Sequence, residues 1–359
     1  MTETSPIFTP LQLRALLLDN RIVLAPMAQY RATEGIANEW HFVHYAERAK
    51  GGAGLLITEM TAVSSIGRIT PGCTGLYTPR HVLEWKKIND FIHAESRAKT
   101  CLQLGHAGPK GSTQVGWAEA LAPLVNGNWG LLAASALPHQ PGNATPRAME
   151  REDMDKVLRQ FVKATEMADE ADFDMVELNA GQGFLLGSFL SPASNQREDD
   201  YGGSLENRLR FPLEVFREIR AAFPGQKPMS VRLDAEDFAT GGIAVEEASE
   251  IALMFAAEGA DILAFSGGDW PAEAPTDAPT ALSLSETVRS ETGFATMAGG
   301  GITRADQADA VLKAEQADLI SLGLGLLDDP YWTLHQARAL GEASAQWPKP
   351  YRAVQALKP

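Results

Sequence analysis

The segment AEGADILAF, residues 257–265, closes an amphipathic run, turns at Gly259 and Asp261, and enters a short apolar stretch. Two relatives of it occur in the same chain, EADFDMVEL at 170–178 and AEQADLISL at 314–322. In each, apolar residues spaced three and four apart give way to a small or acidic turn and then to a β-branched or apolar run. That is the pattern of a helix feeding a buried strand. Working outward, the same punctuation predicts strands at Ile22–Ala25, Leu55–Glu59, Cys101–Leu104, Met175–Leu178, Met229–Arg232, Ile262–Phe265, Thr296–Ala298 and Leu319–Ser321. Helical stretches such as Met154–Ala171 and Val245–Ala257 lie between most of them. Eight strands alternating with helices predict an α/β fold, a (β/α)₈ TIM barrel. An open doubly wound sheet is disfavoured because no GxGxxG follows the first strand. Residues 1–359 are expected to form a single domain. Gly105–Arg151, rich in Gly, Pro, Ala and Asn, follows strand three and is expected to be a lid over the barrel mouth.

Composition narrows the function. The 359 residues carry 31 Lys and Arg against 46 Asp and Glu, a formal net charge of -15. Phosphate backbones are bound by clustered cations, so a nucleic-acid partner is disfavoured. An anionic small ligand stays open, because potential in a pocket need not follow the global sign. The two cysteines, Cys73 and Cys101, have neither disulfide nor metal spacing. No signal peptide is evident and no apolar run approaches the ~20 residues that span a bilayer. A cytoplasmic protein is the expectation.

Chemistry in such a barrel belongs to strand ends and the loops beyond them. Strand one ends in APMAQY (25–30), where small residues allow close approach to a flat ligand and Tyr30 either points its phenol into the cavity or is a half-buried turn residue. Strand three ends in QLGHAG (103–108): Gln103 offers donor and acceptor to a heteroaromatic edge, and His106 is either a base or a structural histidine. Arg232 in strand five is costly to bury unless it meets an anion, either Asp234 or a ligand. Glycine clusters AGGGIT (298–303) and LGLGLL (322–327) follow strands seven and eight, the usual phosphate cradle of a barrel. A ring-edge Gln, an Arg and a phosphate cradle point to a phosphorylated heterocycle such as FMN. His41 and His44 share helical spacing without a third ligand, so no metal site is expected. ELNAGQGF (177–184), which ends strand four and drops into glycine and carboxamides, holds no His, Cys, Tyr or Lys.

NRIVLAPMAQY (20–30), WHFVHYAERAKGGAGLLITEMTAVSSIGRITPG (40–72), LQLGHAG (102–108) and FLSPASNQREDDYGGSLENRLRFPLEVF (189–216) resemble the old yellow enzyme family. These are FMN-dependent (β/α)₈ ene-reductases. APMxQY and ITPGC are similar to the xenobiotic-reductase-like branch, and the middle of the chain resembles the reductase domain of anthraniloyl-CoA and salicylyl-CoA monooxygenase fusions. The resemblance implies FMN contacts at Ala25, Pro26, Met27, Met60, Gln103, Arg232, Gly300 and Gly323, with NADPH or NADH as reductant. It also implies a homodimer or higher homo-oligomer, with the tail at 340–359 bringing Tyr351 or Arg352 to a neighbouring subunit.

The likeness is broken at the site itself. The family's substrate-clamping His/His or His/Asn pair falls at Asn179 and Gln182, and its proton-donating Tyr at Phe184. Its redox-tuning Cys falls at Ala28, and its phosphate-pairing Arg at Leu324; the substrate-site Tyr30 is kept. Both carboxamides retain N–H₂ donors, but neither can become cationic, and Phe184 cannot donate a proton. The implied function is an FMN oxidoreductase acting on an enone, a quinoid dienone or an aryl-CoA-derived carbonyl compound, with slow ordinary ene reduction. The alternative is a diverged barrel that has lost ordinary ene reduction and is a non-redox catalyst or ligand-binding protein.

Overall fold

The computed structural model describes residues 5–119, 121–234, 241–266, 281–342 and 344–356. Eight parallel strands close on themselves: β1 (Ile22–Leu24), β2 (Leu55–Ile57), β3 (Lys99–Gly105), β4 (Met175–Asn179), β5 (Met229–Asp234), β6 (Ile262–Ser266), β7 (Thr296–Gly299) and β8 (Leu319–Leu322). Each pairs with its neighbour in chain order, and β8 returns to β1 through Ile320 opposite Ile22. The ring therefore has no open edge, as a barrel requires. Helices α1 (Glu39–Lys50), α2 (Pro79–Glu95), α3 (Arg151–Glu170), α5 (Leu205–Ala222), α6 (Val245–Ala257), α7 (Ala281–Thr292) and α8 (Ala305–Lys313) separate the strands. Short α4 (Leu185–Leu190) follows β4, and α9 (Leu324–Asp328) and α10 (Trp332–Leu340) follow β8.

The repeated acidic turn has a structural reason. Asp174, Asp261 and Asp318 each stand at the entry of an even-numbered strand. Their carboxylates accept the backbone N–H of Thr100 (2.9 Å), Met229 (2.8 Å) and Thr296 (3.0 Å), at the start of the strand before. Each Asp also donates its own N–H back to the carbonyl of that same residue. One residue type thus satisfies strand-entry donors that would otherwise be buried without a partner, and it fixes the register of three strand pairs.

Inward positions alternate along the strands and sort by polarity. Leu13, Leu16, Leu18, Val23, Leu55, Ile57, Cys101, Met175, Ile262, Ala264, Met297 and Leu319 form one buried cluster. The first three belong to an N-terminal hairpin, Leu11–Leu13 paired with Leu16–Leu18, which packs its apolar face onto these inward residues near the strand beginnings. Further along the same faces the side chains become polar: Gln103, then Glu177 and Asn179, then Arg232 and Asp234. The polar layer lies at the C-terminal ends of the strands, on the face where barrels carry out chemistry. Between β3 and α3, residues 105–150 contain a 3₁₀ turn at Gly108–Lys110 and a two-residue pairing of Leu132–Ala133 with Arg147–Ala148.

Candidate active site

Glu177 organises the polar layer. It is fully buried in β4, and one carboxylate oxygen accepts from Gln103 Nε2 (2.7 Å) and Arg232 Nε (2.9 Å). The other accepts from the Ser230 hydroxyl at 3.2 Å. A carboxylate in this ion pair only accepts hydrogen bonds, so Gln103 must turn its N–H₂ toward it and its oxygen away. Asn179 Nδ2 then donates to that oxygen (3.2 Å) and also to Gln182 Oε1 (2.9 Å). Its own Oδ1 accepts from the Gly181 N–H at 3.1 Å, which independently fixes the orientation of the amide. Donation runs inward from Asn179 through Gln103 to Glu177, and outward from Asn179 to the Gln182 side-chain oxygen. Asn179 has both amide hydrogens engaged, and the Gln182 N–H₂ is the row's outward end among the described residues.

The expectation that Asp234 is the protein partner of Arg232 is corrected. The β4–β5 register sets Ser230 beside Glu177 and Arg232 beside Asn179, so the guanidinium reaches back to Glu177. Asp234, one inward position further, takes the Gln182 N–H and the Ser266 hydroxyl instead. Gln182 itself is left-handed, with φ 57°, and is pinned from both sides: Asp234 holds its N–H and Lys110 Nζ donates to its carbonyl at 3.0 Å. Non-glycine residues in this conformation cost about 1–3 kcal/mol and persist where the surroundings over-determine them, often at functional sites.

Phe184 is buried in a small cluster with Met60, Ile69, Cys73 and Ala107, and Tyr30 packs on its flank. Lys110, 4% exposed, lies 5.3 Å from the Phe184 ring centroid. Tyr30 is half-buried, and Trp117 meets its ring edge-on at 5.8 Å. Beyond β1, the Ala25 N–H donates to the Leu322 carbonyl, and Met27 lies against Gly323. Pro26 is half-buried and Ala28 exposed. This loop is held from below by Glu59, whose carboxylate accepts the Gln29 N–H at 3.1 Å and meets His41 Nε2 at 3.0 Å. His41 Nδ1 lies 3.1 Å from the Asn38 backbone nitrogen that starts α1 and 3.0 Å from the Asn38 side-chain oxygen.

Other expected residues fall in two places. Met60 lies against Gly105 beside Asn179, whereas Gly300 and Leu324 belong to the β7 and β8 ends. Gly300 has φ 113° with open space where a side chain would be, and Leu324 is 76% exposed at the first position of α9. His106 is structural: its Nδ1 accepts the Gly108 N–H, and burial pushes its pKa down to about 4, so it is neutral at pH 7. His44 is likewise neutral, pushed down to about 3 by burial and by Arg48 and His41. No cluster suited to a metal occurs among the described residues. Tyr351 rests against Tyr331, with Lys50 over its ring at 5.7 Å. Glu177, Glu59, Lys110 and Trp117 were not among the expected site residues.

The site leaves polar groups unsatisfied in a way that suits a flavin. Arg232 Nη2 is buried and has no hydrogen-bond partner among the described residues, and such a donor suits an acceptor from a ligand. Gly300 provides open backbone at the β7 end, where barrels bind phosphate. The closed parallel sheet is a (β/α)₈ barrel, and the half-satisfied guanidinium in its polar layer leaves a place for a ligand's acceptor. Residues 6–341 match the NADH:flavin oxidoreductase / NADH oxidase family, and the chain belongs to that family, the old yellow enzymes. It is 37% identical to an NADPH dehydrogenase of Listeria innocua over 97% of this chain and 98% of that one. It is 35% identical to an NADPH dehydrogenase of Geobacillus sp. over 96% and 98%. Morphinone reductase in complex with tetrahydroNAD superposes with TM-score 0.78 at 27% identity, covering 97% of this chain and 94% of that one. A 2-naphthoyl-CoA reductase complex has the same fold, with TM-score 0.82 at 24% identity over 98% of this chain and 56% of that one. The enzyme is an NAD(P)H-dependent FMN oxidoreductase.

Proposed function

We propose that this oxidoreductase reduces a carbon–carbon double bond conjugated to a carbonyl, in an enone or a quinoid dienone. Arg232 and Gln103 would hold the polar edge of the flavin ring, with the turns at Gly300 and Gly323 cradling its phosphate. Ala25, Pro26, Met27, Ala28 and Met60 would line the ring, with Leu324 beside the phosphate. Bound FMN supplies hydride to the electron-poor carbon of the double bond. The protein's part is to bind the substrate oxygen and stabilise the charge that develops there. The outward Gln182 N–H₂ does this, and the Glu177-directed row holds it in one orientation. Tyr30 and Phe184 pack around the substrate ring. The segment after β3 would lie over the mouth, with Trp117 against Tyr30.

The single observation carrying this reading is the row Glu177–Gln103–Asn179–Gln182, which presents a donor without any cationic group of its own. A neutral clamp stabilises an enolate less than a charged one by about 1–3 kcal/mol. The reading therefore favours electron-poor acceptors, which need less help. A second reading, a barrel that binds its ligand without ene reduction, is favoured by Leu324, which offers no charge to a phosphate. One experiment separates them. Purified protein reconstituted with FMN should lose its flavin absorption band anaerobically with NADPH and regain it on adding an enone or quinone. Protein that does not retain added FMN contradicts the first reading.

A further inference from the structure

Phe184 stands where an acid would be needed, and buried Lys110 lies over its ring. The position of Lys110 is built rather than incidental. It ends the 3₁₀ turn Gly108–Lys110 that follows β3, the strand carrying Gln103. That turn is docked on the start of α4, directly after Phe184, by the Leu185 N–H donating to the His106 carbonyl at 2.9 Å. The side chain then returns to donate to the Gln182 carbonyl at 3.0 Å and to lie 5.3 Å from the Phe184 ring centroid. The same ammonium thus touches the residue that ends the donor row and the residue that replaces the acid.

An alkylammonium and a phenol are acids of similar strength in water, with pKa values of about 10.4 and 10. The ammonium carries three N–H bonds, and the Gln182 carbonyl is one of its acceptors. We propose that Lys110 is the proton donor of this site, taking the place of the absent tyrosine. The proposal rests on the carbonyl-conjugated substrate class given above. Hydride that bound, reduced FMN would supply would form the C–H bond at the β-carbon, with the π electrons moving toward the α-carbon and oxygen. The α-carbon then takes H⁺ from Lys110 Nζ, breaking the N–H bond, and the neutral amine regains a proton from water. NAD(P)H restores the reduced flavin.

The test uses the FMN-loaded protein with 2-methylcyclohex-2-enone, whose α-carbon becomes a stereocentre on protonation. Lys110→Arg keeps the charge and the hydrogen bond to Gln182 but has no proton to give at neutral pH. Lys110→Met removes both. Thermal melts establish that each variant is folded, and anaerobic bleaching by NADPH establishes that its flavin is reducible. Expected is a reoxidation rate by the enone lower by about 10²–10⁴-fold in both variants, the loss of a positioned acid, with KM for Lys110→Arg little changed. The product should also shift from one enantiomer toward a racemic mixture, because water protonates either face. A merely structural lysine would be rescued by Arg. A Lys110→Arg enzyme with wild-type rate and enantiomer ratio overturns the proposal, as does a loss that appears in Tyr30→Phe and not at Lys110. Wild-type flavin that NADPH does not bleach counts against the oxidoreductase site itself. Flavin that bleaches but is reoxidised by no enone overturns substrate class and proton donor together.

Discussion

At the scale of single residues, the site turns on Glu177, which sequence reading passes over. ELNAGQGF shows its carboxamides openly, and Asn179, Gln182 and Phe184 are legible by their place just past a strand. Glu177 looks like one polar residue in an apolar run. Its signal is the period of two: it shares the inward face with Asn179, and a carboxylate inside a barrel must meet a cation. Arg232 was legible as that cation, but Asp234 on the same strand looked the nearer partner. Only the register between β4 and β5 decides between them. Glu177→Gln removes the charge that compensates the guanidinium while keeping one acceptor oxygen for Gln103. Breaking a buried pair from one side costs about 3–5 kcal/mol. Urea denaturation of the FMN-free protein should show that loss, and an unchanged midpoint would mean the pair is not the keystone described here.

At the scale of elements, each predicted strand is present, with ends shifted by one or two residues. The acidic turns were visible, but their reciprocal bonds to the preceding strand are long-range and leave no local trace. The turn carrying Lys110 was equally hidden. HAGPK reads as loop, and nothing in it announces that the chain folds back onto α4. Gly108 makes that contact possible, with φ 59° and a Leu185 backbone nitrogen 2.6 Å from where a Cβ would stand. Gly108→Ala should combine left-handed strain of about 1–3 kcal/mol with that clash. The expected result is a markedly lower Tm together with slower enone turnover, since both Lys110 and α4 would shift. A variant that melts with wild type would show that the turn can move away from α4 without consequence.

At the scale of the molecule, stability and activity respond to different groups. His106, with its pKa pushed down to about 4, and His44, down to about 3, are neutral in the folded protein. Unfolded histidines titrate near pH 6.5, so below that pH the unfolded chain binds more protons. Their contribution is complete above about pH 6.5 and is lost as the pH falls toward 4 and then 3. For His106 alone the shift corresponds to roughly 3 kcal/mol. Urea midpoints should drop between pH 7 and pH 4.5, and His106→Gln should flatten that drop; an equal drop in the variant would remove His106 as the cause. Catalysis, by contrast, rests on the donor row, whose terminal Gln182 is the group offered to substrate. The decisive measurement is anaerobic stopped-flow reoxidation of the NADPH-reduced flavin by cyclohex-2-enone in Gln182→Met, which keeps the side-chain volume and removes the donor. A donor lost from a developing oxyanion predicts a rate lower by roughly tenfold or more. Reoxidation at the wild-type rate would contradict the assignment of the row's outward end to the substrate carbonyl.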